Sequence, residues 1–330
     1  MSAAHPGDPG HAPVLLEEVL HALRPAPGET VADLTAGRGG HASAMARAVG
    51  PTGRVVLFDL DPGNLAFAAE RVRAEGVPVE PVHASFATAE LELTRRGLRA
   101  DAVLADLGFA SNQMDDPARG FSFQGEGPLD MRLDPTRGET AAALLARLDE
   151  RAIADAIFQW GEDPFARRIA RSIVARRGRG QLRTTADLTA AVREAYGARA
   201  HHSRMHPATR TFMALRILVN DELGALTALL GSVARGAQWV GAADRGGAAT
   251  GAVAPVGWLS RGARVGIISF HSLEDRMVKH AFADLDRDGL AQRLTRKPVE
   301  AGESEARVNP RSRSAKFRAV QIGAQSPSDG

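Results

Sequence analysis

Between residues 29 and 108 the chain repeats one pattern, a short apolar run followed by a polar turn or a helical stretch. ETVADLTAGRGGHASAMARAVG (29–50) reads as strand, glycine turn and helix. RVVLFDLDP (54–62) reads as a second strand ending in acids, and NLAFAAERVRAEG (64–76) as its helix. VPVEPVHASF (77–86) and RADAVLADLG (99–108) supply a third and a fourth strand. Strands alternating with helices predict a parallel sheet with crossover helices, an α/β fold of the Rossmann-like kind. In front of it, HAPVLLEEVLHALRP (11–25) reads as an amphipathic helix closed by a proline.

After residue 108 the alternation stops. DLGFASNQMDDPARGFSFQGEGPLDMRLD (106–134) mixes acids, glycines and phenylalanines with no strand or helix period. Helical material follows at 139–161, at 164–177, at 184–197 behind a threonine cap, and as one long helix over 206–236. GARVGIISFHS (262–272) then returns to the buried-strand pattern, with a helix over 273–285 and a last strand at AKFRAVQIG (315–323). The sheet is interrupted and later resumed. The expected division is therefore a discontinuous sheet domain, 11–114 and 206–325, carrying an inserted helical domain over 115–205. Residues 1–10 read as a disordered tail, and the glycine- and alanine-rich 241–258 as a flexible surface insertion.

Hydrophobic content of 44% and charged content of 24% are ordinary for a globular chain, and no run approaches the length of a membrane span. The absence of cysteine excludes disulfides, thiolate metal sites and cysteine nucleophiles together, and a cytoplasmic protein is expected. The net charge is +2, but unevenly placed: residues 165–183 hold seven arginines and no acid, and residues 307–318 five basic residues and no acid. Each block suits a nucleic-acid backbone, and each equally suits a solvated helix face.

DLTAGRGGHA (33–42) lies where the first strand becomes a helix. Glycines at such a turn allow a ligand close to the backbone, and the helix start offers free N–H groups. Asp59 ends the next strand, 20 residues after Gly39, where a carboxylate can take both hydroxyls of a ribose. NAD and S-adenosylmethionine both fit such a turn. Asp33 and Asp106, at the ends of the first and fourth strands, would repel a pyrophosphate but suit a cationic ligand, which favours S-adenosylmethionine.

At this point the chain resembles the bacterial 16S ribosomal RNA (cytosine-N4)-methyltransferases, the RsmH or MraW family. The resemblance rests on HAPVLLEEVL, DLTAGRGGHA, FDLDP, the long run from Asp106 to Glu139, HPATRTFMALRILVNDEL, ISFHSLEDRMVK and NPRSRSAKFR. It implies S-adenosylmethionine as cofactor and a helical insert that recognises substrate. It implies 16S rRNA of the small ribosomal subunit as partner, and no membrane. The expected target is the N4 atom of cytosine 1402 in the decoding region. Carried over by position, the cofactor contacts fall on Gly39, Gly40, His41, Asp59, Phe86, Asp106 and Gln113. The chain lacks the Asp/Asn-Pro-Pro-aromatic tetrapeptide of better-known amino methyltransferases, and Asp106, Asn112 and Asp115 are the candidate acceptors for the target amine. It departs from the family pattern at Phe109, Ala110 and Asn112, where Val-Ser-Ser-Pro is usual over 109–112, and at Ala42, Glu126 and Met213.

Other residues have two readings. Phe121 and Phe123 suit either a stacked base or core packing. Asp130 and Arg132 are spaced for an ion pair. His206, before Pro207, suits a helix entry or catalysis. His271 suits substrate contact or a turn in which Ser272 caps a helix and Asp275 completes a capping box. His201 and His202 make at most a weak metal-ligand pair, and no metal site is expected. A hydrolase triad lacks its G-x-S-x-G elbow. Two rival functions remain beside the methyltransferase: a non-catalytic RNA-binding or assembly factor that retains the fold, and an NAD-linked oxidoreductase.

Overall fold

The computed structural model describes residues 13–202, 206–244 and 257–323. The expected tail over 1–10 lies outside them, as does most of 241–258. The chain forms two compact units, residues 1–108 with 224–330, and residues 109–223.

The first unit begins with α1 (Leu16–Leu23), β1 (Thr30–Asp33), α2 (Gly40–Val49), β2 (Arg54–Asp59), α3 (Pro62–Ala74), β3 (Val79–His83), α4 (Ala89–Arg95) and β4 (Ala100–Asp106). The second contains α5 (Ser111–Asp115), α6 (Ala141–Arg147), α7 (Glu150–Gly161), α8 (Ala166–Gly178), α9 (Thr185–Tyr196) and α10 (Ala208–Asn220). The chain re-enters the first unit along α11 (Glu222–Asp244) and adds β5 (Leu259–Ser269), α12 (Ser272–Arg287), β6 (Ala291–Arg293), α13 (Glu303–Val308) and β7 (Lys316–Ile322).

The seven strands form one sheet in the order β3-β2-β1-β4-β5-β7-β6. β1 to β5 are parallel, and β7 runs antiparallel between β5 and β6. Strand side chains alternate between two buried layers. Val31, Val55, Leu57 and Leu104 pack with α1, α2 and α3, while Ala32, Val56, Phe58 and Val103 pack with α4, α11 and α12. The sheet order reverses between β1 and β4, which puts the ligand crevice of such a fold at their carboxyl ends.

The second unit has its own core, in which Leu145, Ile153, Ile157, Ile169, Ile173, Leu188 and Val192 are fully buried. The aperiodic run after β4 forms a tightly folded lead-in to it. A Cβ at Gly127 would stand 1.8 Å from the Pro117 carbonyl oxygen, so only glycine permits that approach. Met131 is fully buried in a left-handed conformation. Asn220 holds this turn from both sides, donating to the Met131 carbonyl at 2.8 Å and accepting from the Leu133 N–H at 2.7 Å. The expected Asp130–Arg132 pair is present and bidentate, both contacts 2.8 Å.

Several expectations need correction. The long helix over 206–236 is two helices, broken at Asp221 in the left-handed region. The first of them, α10, buries Phe212 and Leu215 in the helical core, so the compact units divide after Gly108 and after Leu223 rather than after 114 and 205. The helical stretch 139–161 is likewise two helices, with Thr140 and Asp149 capping each. Residues 241–244 continue α11, and Trp258 is fully buried, its Nε1 donating to the Ser232 carbonyl at 3.0 Å. Both described ends of the expected flexible insertion over 241–258 are thus ordered parts of the sheet unit. β6, three residues long and half exposed, carries no apolar run to announce it.

Arg264, on β5, ties the amino-terminal helix to the sheet. Its guanidinium donates to the Leu23 and Arg24 carbonyls at the end of α1 and to both oxygens of Glu29. It is 9% exposed. Replacing it by alanine strands Glu29 and two helix-end carbonyls, so Arg264→Ala should lower unfolding free energy by about 3–5 kcal/mol. Urea denaturation of the two proteins measures the difference.

Candidate active site

The carboxyl ends of β1, β2 and β4 each terminate in an aspartate, Asp33, Asp59 and Asp106. After Asp33 the chain turns through Gly37 and Gly39, both with positive φ, into α2. A Cβ at Gly39 would meet Ala68 of α3 at 3.0 Å, and one at Gly40 would meet the Pro13 ring at 2.5 Å. The glycines are therefore required by packing as well as by the turn.

Asp59 is shaped by this turn. Its Oδ2 accepts from the Gly37 N–H at 2.7 Å and its Oδ1 from the Asp61 N–H at 2.8 Å. Each oxygen keeps lone-pair capacity for a further donor, the arrangement a diol needs. Burial pushes its pKa up to about 6 against the pull of those two N–H groups. Asp61 caps α3 through the Gly63 and Asn64 N–H groups, and His83 lies beneath, its Nε2 against the Leu60 carbonyl at 2.9 Å. Phe86 follows β3, half-buried against the sheet core behind a Ser85 cap.

Asp33 is 2% exposed and accepts from the Thr35 N–H at 3.1 Å. Burial, with a smaller contribution from the charge of Asp59, pushes its pKa up to about 7. Asp106 is raised well above the carboxylate range, first by burial and then by the charges of Asp33 and Glu274. Its Oδ1 is buried and has no hydrogen-bond partner. His41 stands beside it, with Nδ1 at 3.7 Å from Asp106 Oδ2. Its Nε2 faces the Val14 carbonyl at 2.9 Å and must donate there, so Nδ1 carries no proton in the neutral ring. Burial lowers the His41 pKa to about 4, and it brings no positive charge to Asp106.

Six of the carried-over residues thus gather in the first unit, at the sheet's carboxyl edge: Gly39, Gly40, His41, Asp59, Phe86 and Asp106. The remaining ones belong to α5 of the second unit. Gln113 is buried there and caps the helix, its Oε1 accepting from the Ala110 N–H at 2.9 Å, while Asn112 is half-buried and Asp115 exposed.

Other candidates resolve differently. Phe121 stacks on Phe109 at 5.2 Å, and Phe123 stacks on His206 at 4.3 Å, so both aromatics serve the helical core. His206 accepts from the Ala208 N–H at 3.2 Å, the helix-entry reading. The α12 cap is His271, not Ser272, and Glu274, not Asp275, completes it. Asp275 instead binds Arg318 at 2.7 Å. The two basic blocks are partly structural. Arg177 donates to the Leu145 and Leu148 carbonyls, Arg176 pairs with Glu194 and Arg318 is buried, while Arg167 and Arg168 are exposed. The side chains of His201 and His202 lie outside the described residues. Sequence reasoning did not single out Glu274, whose charge acts on Asp106. The signal was its place three residues after a histidine just beyond a strand, the spacing of a capping box.

Comparison with known proteins gives one consistent answer. The family model described as MraW methylase family matches residues 8–239 and 252–323. A protein of Acidobacterium capsulatum called Ribosomal RNA small subunit methyltransferase H is 44% identical over 318 residues, covering 94% of this chain and 98% of that protein. Its namesake in Sorangium cellulosum is 43% identical over 312 residues, covering 94% and 90%.

The raised pKa values have a consequence for stability. In the folded chain Asp33 holds its proton to about pH 7, whereas the unfolded chain releases it near its ordinary value of 3.8. The folded state binds more protons between these values, so this group's contribution to stability is full below the lower one and is lost as pH rises toward 7. Asp33→Asn should remove that loss. Its stability relative to wild type, measured by denaturant titration without ligand, should rise steadily from pH 4 to pH 7.

Proposed function

The chain belongs to the MraW methylase family, and from that premise we propose that it is an S-adenosylmethionine-dependent methyltransferase of small-subunit ribosomal RNA. The target we assign is the N4 atom of cytosine 1402 of 16S rRNA, in the cytoplasm. No single helix among the described residues is long and apolar enough to cross a membrane. The observation that carries the reading is the pair of neighbouring strand-end carboxylates, buried Asp33 and half-buried Asp106, with the buried Oδ1 of Asp106 lacking any hydrogen-bond partner. Carboxylates pushed toward protonation by burial and by one another favour a cationic ligand, which would stabilise their charged form.

The residues present fit that cofactor. Gly39 and Gly40 let the turn close against Ala68 and Pro13, and His41 follows them in the first turn of α2. Asp59 would take the ribose hydroxyls and Phe86 the adenine face, while Asp106 and Gln113 would serve the methionine end. Bound S-adenosylmethionine supplies an electrophilic methyl group on a positively charged sulfur. The amine of cytosine is a poor nucleophile because its lone pair is delocalised into the ring. The protein must therefore hold it in line and accept its hydrogen bonds as charge develops. Asp106, Asn112 and Asp115 are assigned that role, with proton loss to a carboxylate or to water completing it. The base must leave its stack to reach them. The inserted helical domain, whose compact unit spans residues 109–223, is assigned to substrate recognition.

The rival functions fit less well. A dinucleotide would set its pyrophosphate against Asp33 and Asp106, where like charge opposes it. A non-catalytic RNA-binding factor would have no use for a buried carboxylate oxygen without a hydrogen-bond partner.

Two experiments test this reading. Asp106→Ala should lower the rate of methyl transfer to 16S rRNA by roughly a hundredfold or more, in line with removal of a group acting at the reacting centre. A normal rate would remove Asp106 from the site. Mass-spectrometric mapping of 16S rRNA from cells lacking the protein should show cytosine 1402 without its N4 methyl group. An unchanged modification would refute the assigned target.

A further inference from the structure

The hairpin of α7 and α8, within the second unit, carries a surface that its own packing does not use. Ile153 and Ile157 of α7 and Ile169 and Ile173 of α8 are fully buried in the helical core, so the opposite faces of both helices turn outward. Arg167, Arg168 and Arg171 fall within an arc of about 100° on the outward face of α8, and all three are exposed. Ala175 and Gly178 continue that face, exposed and too small to hold a partner off it. Phe158, in the last turn of α7, is 65% exposed, and no other phenylalanine, tryptophan or tyrosine among the described residues is exposed. The connection between the two helices is short, residues 162–165, so Phe158, Arg167 and Arg168 stand at the same end of the hairpin.

That end is unfavourable for the helix that forms it. A helix dipole disfavours cations in the first turn, and Arg167 and Arg168 occupy that turn of α8, which holds no acid. Their side chains form no hydrogen bond or ion pair among the described residues. The other arginines of α8 are engaged: Arg176 with Glu194, Arg177 with the Leu145 and Leu148 carbonyls, and Arg171 at 3.7 Å from Glu150. Residues 150–179 hold seven arginines against four acids. Two of those acids are taken, Asp155 by Arg151 and Asp163 by the Tyr196 hydroxyl. Stability accounts for the arginines at the end of α8, where they complement the dipole, and not for the pair at its start.

We propose that this end of the hairpin is a contact surface for RNA, in which Arg167 and Arg168 bind backbone phosphates and Phe158 stacks on an unpaired base. The planar guanidinium fork matches a phosphate, and an aromatic face beside such cations suits RNA outside a duplex, where bases are free to stack. The inference rests on the proposed reading of the chain as an rRNA methyltransferase and names the face of the helical unit that meets the substrate.

The test measures binding of the full-length chain to small ribosomal subunits, purified from cells lacking the protein, over a range of salt concentrations. The double variant Arg167→Gln/Arg168→Gln should bind roughly tenfold more weakly, and its slope of log affinity against log salt should be shallower by about 1.4–1.8, the counterions released by two phosphate contacts. Phe158→Ala should weaken binding at least about fivefold with the slope unchanged. Both variants should bind S-adenosylmethionine as the wild type does, and the arginine variant should melt no lower than wild type. Unchanged affinity and slope in the arginine variant would overturn the proposal. Weaker binding with an unchanged slope would also overturn it, moving the contact to a ribosomal protein. Unchanged affinity in Phe158→Ala would overturn the stacking. A wild-type chain that bound the subunits through this surface but transferred no methyl group would instead overturn the proposed function.

Discussion

Carboxylates crowded at one edge of a parallel sheet are the constraint on which the rest of this structure turns. Asp33, Asp59 and Asp106 end three strands that lie side by side, and Glu274 joins them from the start of α12. A folded chain tolerates such a group only when each charge is bound, neutralised by a proton or held for a ligand. Asp59 is bound by two N–H groups of the turns around it. Asp33 and Asp106 are pushed toward the protonated form. The surrounding packing maintains this arrangement: glycines at 39 and 40 leave no room for side chains, and His41 is turned away as a neutral ring by the Val14 carbonyl.

Division of the chain into two compact units follows from the same economy. The sheet unit completes its edge with β5 only after an excursion of more than a hundred residues, and the excursion has a core of its own. Its lead-in, so rich in acids and glycines, is held by local polar contacts: the bidentate Asp130–Arg132 pair and the Asn220 clamp on Met131. Phe109, the most conspicuous departure from the family pattern, is accommodated inside this unit, stacked on Phe121 and with the Arg216 guanidinium 4.7 Å from its ring. The departure is thus taken up by aromatic packing within the helical unit.

Much of this could be read from the residues because strand ends and glycine turns are local signals. Asp33, Asp59 and Asp106 were legible from apolar runs that stop at an acid, and the turn from its glycines. What escaped were features decided by tertiary contact. The break at Asp221 interrupts a continuous helical period, since nothing but a left-handed residue marks it. The α12 cap was misplaced by one residue because serine is the stronger cap by type, while the actual N-cap is His271, with Glu274 hydrogen-bonding back to it. Phe121, Phe123 and His206 have residue types suited to a site and turn out to stack within a core. Two arginines of the basic blocks behave the same way, Arg177 holding the Leu145 and Leu148 carbonyls and Arg318 pairing with Asp275.

On the proposed function, this acidic edge holds a cationic nucleoside. Equilibrium dialysis of the full chain against S-adenosylmethionine and NAD tests it most directly. Saturable binding of S-adenosylmethionine, weakened by Asp59→Ala and accompanied by no measurable binding of NAD, is the predicted result. Binding of NAD in preference to S-adenosylmethionine would contradict it.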